Sequence, residues 1–83
     1  MSVTFLRCRA AIPFQEFRDV VMPRWVDIAN TDLNHQPPIV LKEIRDEGDW
    51  FYVELEGGEL DVAMFVNTTL PHYGFYLKEM GPK

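Results

Sequence analysis

The chain is short of the residues that most functional chemistry needs. Among its 83 residues there is one cysteine, and there are two histidines. With Cys8 alone no intrachain disulfide can form, which fits a reducing compartment. Cys8 itself reads as a small buried hydrophobe on a strand. His35 and His72 fall in separate loops, with no cysteine or carboxylate at a metal-ligand spacing, so no metal and no cofactor are expected. A pairing of Cys8 with either histidine as nucleophile and base has no surrounding motif and no oxyanion site, and no enzyme is expected. No apolar run approaches the ~20 residues of a membrane helix. The N-terminal MSVTFLRCRAA lacks a basic region followed by an apolar segment, so the expected location is the cytoplasm, or a host's cytoplasm for a viral source. Internal repeats, low-complexity tracts and interdomain linkers are also missing, which leaves one domain spanning 1–83. Asn67-Thr68-Thr69 matches a glycosylation acceptor, but without an export signal it reads as a polar loop.

Positive charge is scarce too. Eight basic residues against 13 acidic ones leave a net charge of −5 and a pI near 4.8. The average field repels phosphate backbones and anionic lipids, so neither direct nucleic-acid binding nor membrane association is expected. Apolar residues, by contrast, make up 47% of the chain and aromatics 13%. That is enough for a packed core, and a domain of this size buries about 60% of the surface its unfolded chain exposes.

Residues 2–10 read as a first strand, with Val3 and Phe5 on one side and Leu6 and Cys8 on the other. Pro13 fits the first position of a helix, and Glu16 in the first turn suits the helix dipole. Phe14, Phe17, Val21, Trp25 and Ile28 then form one apolar stripe at spacings of three and four. Pro23 interrupts that stripe and predicts a kink near Met22 or a helix that stops and restarts. Asn30-Thr31-Asp32 reads as a stop and residues 30–38 as a loop. Strands are expected at 39–45, 50–56, 59–66 and 73–80, with a longer connection from Asn67 to His72. The resulting fold class is a two-layer α+β domain, one kinked helix on an antiparallel sheet of four to five strands, in the order β-α-β-β-β-β.

The segment WFYVELEGGELDVAMF, residues 50–65, reads as a hairpin closed by Gly57 and Gly58. That register sets Glu56 opposite Glu59 and Glu54 opposite Asp61. Phe51, Val53, Leu55, Leu60, Val62 and Met64 would face the helix, and Trp50, Tyr52, Ala63 and Phe65 would share the outer face with the four carboxylates. Acid opposite acid works against folding. Screening by water and salt blunts the cost, and charged hairpin tips also discourage aggregation. The functional expectation is a small acidic protein-binding module, an inhibitor or adaptor. It would dock Trp50, Tyr52, Glu54, Glu56, Glu59, Asp61 and Phe65 on a basic surface of a partner protein. By analogy alone, the partner could be a nucleic-acid-binding machine, as for anti-restriction or anti-CRISPR proteins of phages. The alternative is a homo-oligomeric structural or assembly subunit, such as a homodimer, paired through the aromatics or the strand edges.

Overall fold

A computed structural model describes residues 2–33, 38–69 and 74–83. Its strands are β1 (Ser2–Arg9), β2 (Val40–Asp46), β3 (Phe51–Gly57) and β4 (Tyr76–Pro82). A long helix, α1, follows β1 and comprises a first turn Phe14–Glu16, a π-helical turn Phe17–Val21 and an α-helical stretch Met22–Leu33. A short helix, α2, lies between β3 and β4; it spans Glu59–Met64 and continues as a π-helical turn over Phe65–Thr69. The sheet order is β2-β3-β1-β4, and every neighbouring pair is antiparallel. β1 and β2 therefore run parallel, joined through α1, with β3 inserted between them. This is the split β-α-β connectivity of ferredoxin-like arrangements. The domain is two-layer α+β, with a kinked long helix and a short one packed on a four-stranded antiparallel sheet.

Period-two alternation explains which side of each strand meets the helices. Leu6 and Cys8 of β1 and Val53 and Leu55 of β3 are buried against Phe17, Met22, Val26 and Ala29 of α1 and Val62, Phe65 and Val66 of α2. The residues of opposite parity point away from both helices.

Pro23 produces a π-helical turn. Proline has no N–H and its ring collides with the carbonyl four residues back. The chain responds by widening the turn before it, and the Met22 N–H bonds to the carbonyl of Phe17 five residues back. One extra residue in the turn rotates everything that follows by one position. The buried stripe consequently runs Phe17, Met22, Val26, Ala29, while Val21 and Trp25 sit at its margin. The helix also continues through the expected stop at Asn30-Thr31-Asp32 as far as Leu33. Asn30 acts instead as a clamp: its side chain donates to the Ile39 carbonyl and accepts from the Ile39 N–H, both at 2.8 Å, tying α1 to the entry of β2. Within the expected 30–38 loop and 67–72 connection, residues 34–37 and 70–72 lie outside the described residues.

The segment 59–66 is helical, so the expected second strand of the hairpin does not exist. Gly58 is extended (φ −63°, ψ 135°) and caps α2, its carbonyl accepting the Val62 N–H at 2.9 Å. Glu59 and Asp61 fall in the first helical turn, where the dipole favours carboxylates. Val62, Phe65 and Val66 recur at helical spacing and are fully buried. Gly57 serves close packing: a Cβ there would lie 3.3 Å from Val62 Cγ2 and 3.4 Å from Ile39 Cα. The tight reversal that needs a left-handed glycine comes earlier, at Gly48 (φ +92°), where Asp46 Oδ1 accepts the Gly48 N–H.

Candidate functional site

Both helices lie on one side, so among the described residues no helix or loop covers the other side of the sheet. β1 presents Val3, Phe5, Arg7 and Arg9 there, and β3 presents Tyr52, Glu54 and Glu56 with Trp50 just before its start. The strand order decides what they meet. Because β3 is flanked by β1 and β2, Tyr52 has Arg7 opposite it on one side and Arg45 on the other. Because β4 flanks β1, Arg7 also faces Glu79, and Phe5 faces Gly81. A Cβ on Gly81 would come within 3.3 Å of the Phe5 ring, so the glycine leaves room for it. Register shifts leave Lys42 and Lys78 as extra residues in the two edge strands. The Lys78 ammonium lies over the Trp50 ring at 4.9 Å.

The rings and cations interleave. Arg45 lies 4.1 Å and Arg7 5.2 Å from the Tyr52 ring centre, and Arg7 lies 5.4 Å from that of Phe5, which is itself stacked on Tyr52. Arg9 sits 4.6 Å from the centre of Trp50 and donates to the Asp49 carbonyl through Nε and Nη2, at 3.2 and 3.0 Å. The Tyr76 ring is 5.8 Å from Trp50. Carboxylates then fix the guanidinium groups. Glu47 accepts from Arg7 Nε at 2.8 Å, Glu79 accepts from Arg7 Nη1, and Glu43 lies 3.4 Å from Arg45. Arg7 holds the Glu47 carboxyl below the usual carboxylate range.

Glu54 is the deepest charge on this face, only 6% exposed. It lies directly opposite Glu43 across β2 and β3, so a like-charged cross-strand pair does exist, between other strands than the expected hairpin. Lys83 Nζ relieves it at 2.8 Å, and the Tyr52 hydroxyl donates to Glu54 Oε2 at 2.7 Å. Together, the Lys83 ammonium first, they hold the Glu54 carboxyl below its ordinary value. The Tyr52 hydroxyl is pushed up in turn, because it donates to a carboxylate.

Charge is polarised along the strands. At the end next to the 46–50 turn stand Arg7, Arg9, Lys78 and Arg45 with Trp50 and Tyr76, four cations against the two carboxylates Glu47, which also lies 3.7 Å from Arg45, and Glu79. At the opposite end stand Glu43, Glu54 and Glu56 with Lys83, and Glu56 has no ion-pair partner among the described residues.

Of the expected site residues, Trp50, Tyr52, Glu54 and Glu56 do share this outer face. Glu59 and Asp61 do not: they belong to the first turn of α2. Phe65 is fully buried in the core. The acid-opposite-acid pairs Glu56–Glu59 and Glu54–Asp61 are therefore not formed. Phe5, Arg7, Arg9, Arg45, Tyr76, Lys78 and Lys83 complete the face and were missed. Arg7 and Arg9 continue the parity of Val3 and Phe5 along β1, a signal that was present in the sequence. Cys8 is 1% exposed, and burial pushes its thiol up to about 12. His35 and His72 lie outside the described residues. Among the described residues no group of three or more His, Cys, Asp or Glu side chains is placed to hold a metal ion, and no helix is long and apolar enough to cross a membrane.

No known family model, curated protein or solved structure matches the chain.

Proposed function

We propose that the protein is a small non-enzymatic binding module that acts by docking a partner protein on the uncovered face of its sheet. The observation that carries this reading is the prearranged state of that face. Its aromatic rings and, Glu56 apart, its charged groups are already held by one another or by backbone, so little side-chain freedom is lost on binding. Trp50 and Tyr76 provide the anchors, since such residues dominate interface energetics and Tyr76 is 64% exposed. The charge pattern sets the partner's chemistry: basic side chains opposite Glu43 and Glu56, and carboxylates opposite Arg9 and Lys78.

Aromatics on the two central strands beside cations also resemble the platforms on which nucleobases stack. Here Arg7 and Arg45 already lie against the Tyr52 ring, and Arg9 and Lys78 against Trp50. Carboxylates or a carbonyl hold each of these guanidinium groups, which favours a protein partner. The buried, protonated Cys8 supports the non-enzymatic part of the reading.

The test is site-specific photo-crosslinking in the cell of origin. A photoreactive residue in place of Tyr76 should join a protein, with loss of the adduct on Trp50→Ala. The same residue in place of the helix-layer Val20, 56% exposed, should not. Adducts from Val20 alone, or from Tyr76 to nucleic acid, contradict the reading.

A further inference from the structure

We infer that the partner of the sheet face is a second copy of this chain, packed face to face with its strands running in reverse. This rests on the binding-module reading and names the occupant of the same site. The argument is charge complementarity along a polarised face. A two-fold axis lying between the two sheets and perpendicular to the strands turns the second copy end for end. The basic, aromatic end of one copy, led by Arg9 and Lys78, which have no carboxylate ion-pair partner among the described residues, then faces the acidic end of the other at Glu43 and Glu56, and the same contact is made twice. A parallel placement would set like charges together. The polarity that leaves Glu56 without an ion-pair partner among the described residues is thus supplied with cations at both ends of the interface.

The size of the face agrees. Four strands at ~4.8 Å spacing and seven residues at ~3.3 Å each span roughly 20 by 23 Å. Two such faces bury about 900 Å² before side-chain relief is counted, close to the ~1,000 Å² at which specific interfaces begin. An area short of the standard interface places the dimer among weak, transient contacts, with a Kd on the order of 10 μM to 1 mM. The net charge of −5 does not oppose it, because the cations and carboxylates of the face nearly balance. The acidic surplus falls on the helical layer and loops, at residues such as Glu16, Asp19, Asp27 and Glu59.

Sedimentation equilibrium on the full chain tests this with two charge reversals. Arg9→Glu with Lys78→Glu makes the whole face acidic, and Glu43→Lys with Glu56→Lys makes it basic. Each variant alone should self-associate at least about tenfold more weakly than the wild type. An equimolar mixture should regain a heterodimer as tight as the wild-type dimer or tighter. Recovery on mixing also shows that both variants are folded, and far-UV circular dichroism checks each alone. Tyr76→Lys, which alters an exposed ring without touching the core, should weaken the dimer similarly. Raising ionic strength from ~0.01 M to ~1 M shortens the Debye length from about 30 Å to about 3 Å and should loosen the wild-type dimer. The inference is overturned if the wild type stays monomeric well above that Kd at low salt. It is equally overturned if the substitutions leave association unchanged, or if the two folded variants fail to combine. A monomeric wild type whose Tyr76 position still crosslinks a different protein removes self-association and leaves the binding-module reading standing. Absence of both removes both.

Discussion

Replacing Asn30 probes the joint between the helical layer and the sheet that carries the site. Its side chain makes two hydrogen bonds to the backbone of Ile39, which is only 2% exposed and precedes the first paired residue of β2. In Asn30→Ala both Ile39 groups lose their partner. Each such bond contributes about 1 kcal/mol net, and an orphaned buried group costs about 1–3 kcal/mol, so the loss should be about 2–4 kcal/mol. The substitution itself improves helix propensity by up to ~0.7 kcal/mol, which opposes that loss. The net change of about 2 kcal/mol corresponds to a Tm drop of roughly 8–16 °C in a domain of this size. Urea unfolding should show a lower midpoint with an unchanged slope. Asn30→Asp keeps the acceptor for the Ile39 N–H but sets a carboxylate against its carbonyl, and should lose at least as much. Thr31→Ala, at the adjacent exposed position, is the control. An unchanged or raised midpoint for Asn30→Ala would refute the clamp, as would continued hydrogen-exchange protection of the Ile39 amide.

Three other outcomes follow from the packing and charge of the domain. Phe65→Ala should cost about 3–5 kcal/mol, as for a fully buried aromatic; calorimetry showing less than about 1 kcal/mol would place Phe65 outside the core. The Cys8 thiol, pushed up to about 12, should resist a thiol reagent at neutral pH until denaturant opens the core; rapid labelling of the folded protein would contradict its burial. Glu54 and Glu47 are held below the ordinary carboxylate value, so their contribution is present above that value and lost as pH falls through their folded-state values. Stability should decline on the acid side, and Glu54→Gln should flatten that limb; a variant with an unchanged acid limb would show that Lys83 and Tyr52 do not stabilise the carboxylate.

Local patterns carried much of the fold. Alternation in residues 2–10 and 50–56 gave two strands, the inward side of the second (Phe51, Val53, Leu55) and the division of the first into its two sides, and Pro23 marked the irregular turn in α1. What the proline could not reveal was the form of the irregularity. A π-helical turn adds a residue, so the buried stripe passes from Val21, Trp25 and Ile28 to Met22, Val26 and Ala29. Residues 59–66 contain both periods at once: Leu60, Val62 and Met64 alternate like a strand, and Val62, Phe65 and Val66 recur like a helix. Tertiary burial of Phe65 selects the second, and Leu60 is left 80% exposed. The Gly57-Gly58 pair reads as turn chemistry, but Gly57 is required by the close approach of Val62 and Ile39, and Gly58 lies against the Asp61 carboxylate at the start of α2. The site was half legible. Trp50, Tyr52, Glu54 and Glu56 share a parity that any strand imposes. The cations over their rings come from β1, β2 and β4, and only the non-consecutive strand order brings Arg7 and Arg45 together on Tyr52.

Nuclear magnetic resonance shift mapping, on raising protein concentration or adding the crosslinked partner, asks most directly which surface binds. Signals of Arg7, Arg9, the Trp50 indole and Tyr76 should move together, with Val20 and Met64 unaffected. Shifts confined to α2, around the exposed Leu60 and Met64, would assign binding to the helical layer and contradict the sheet face as the docking surface.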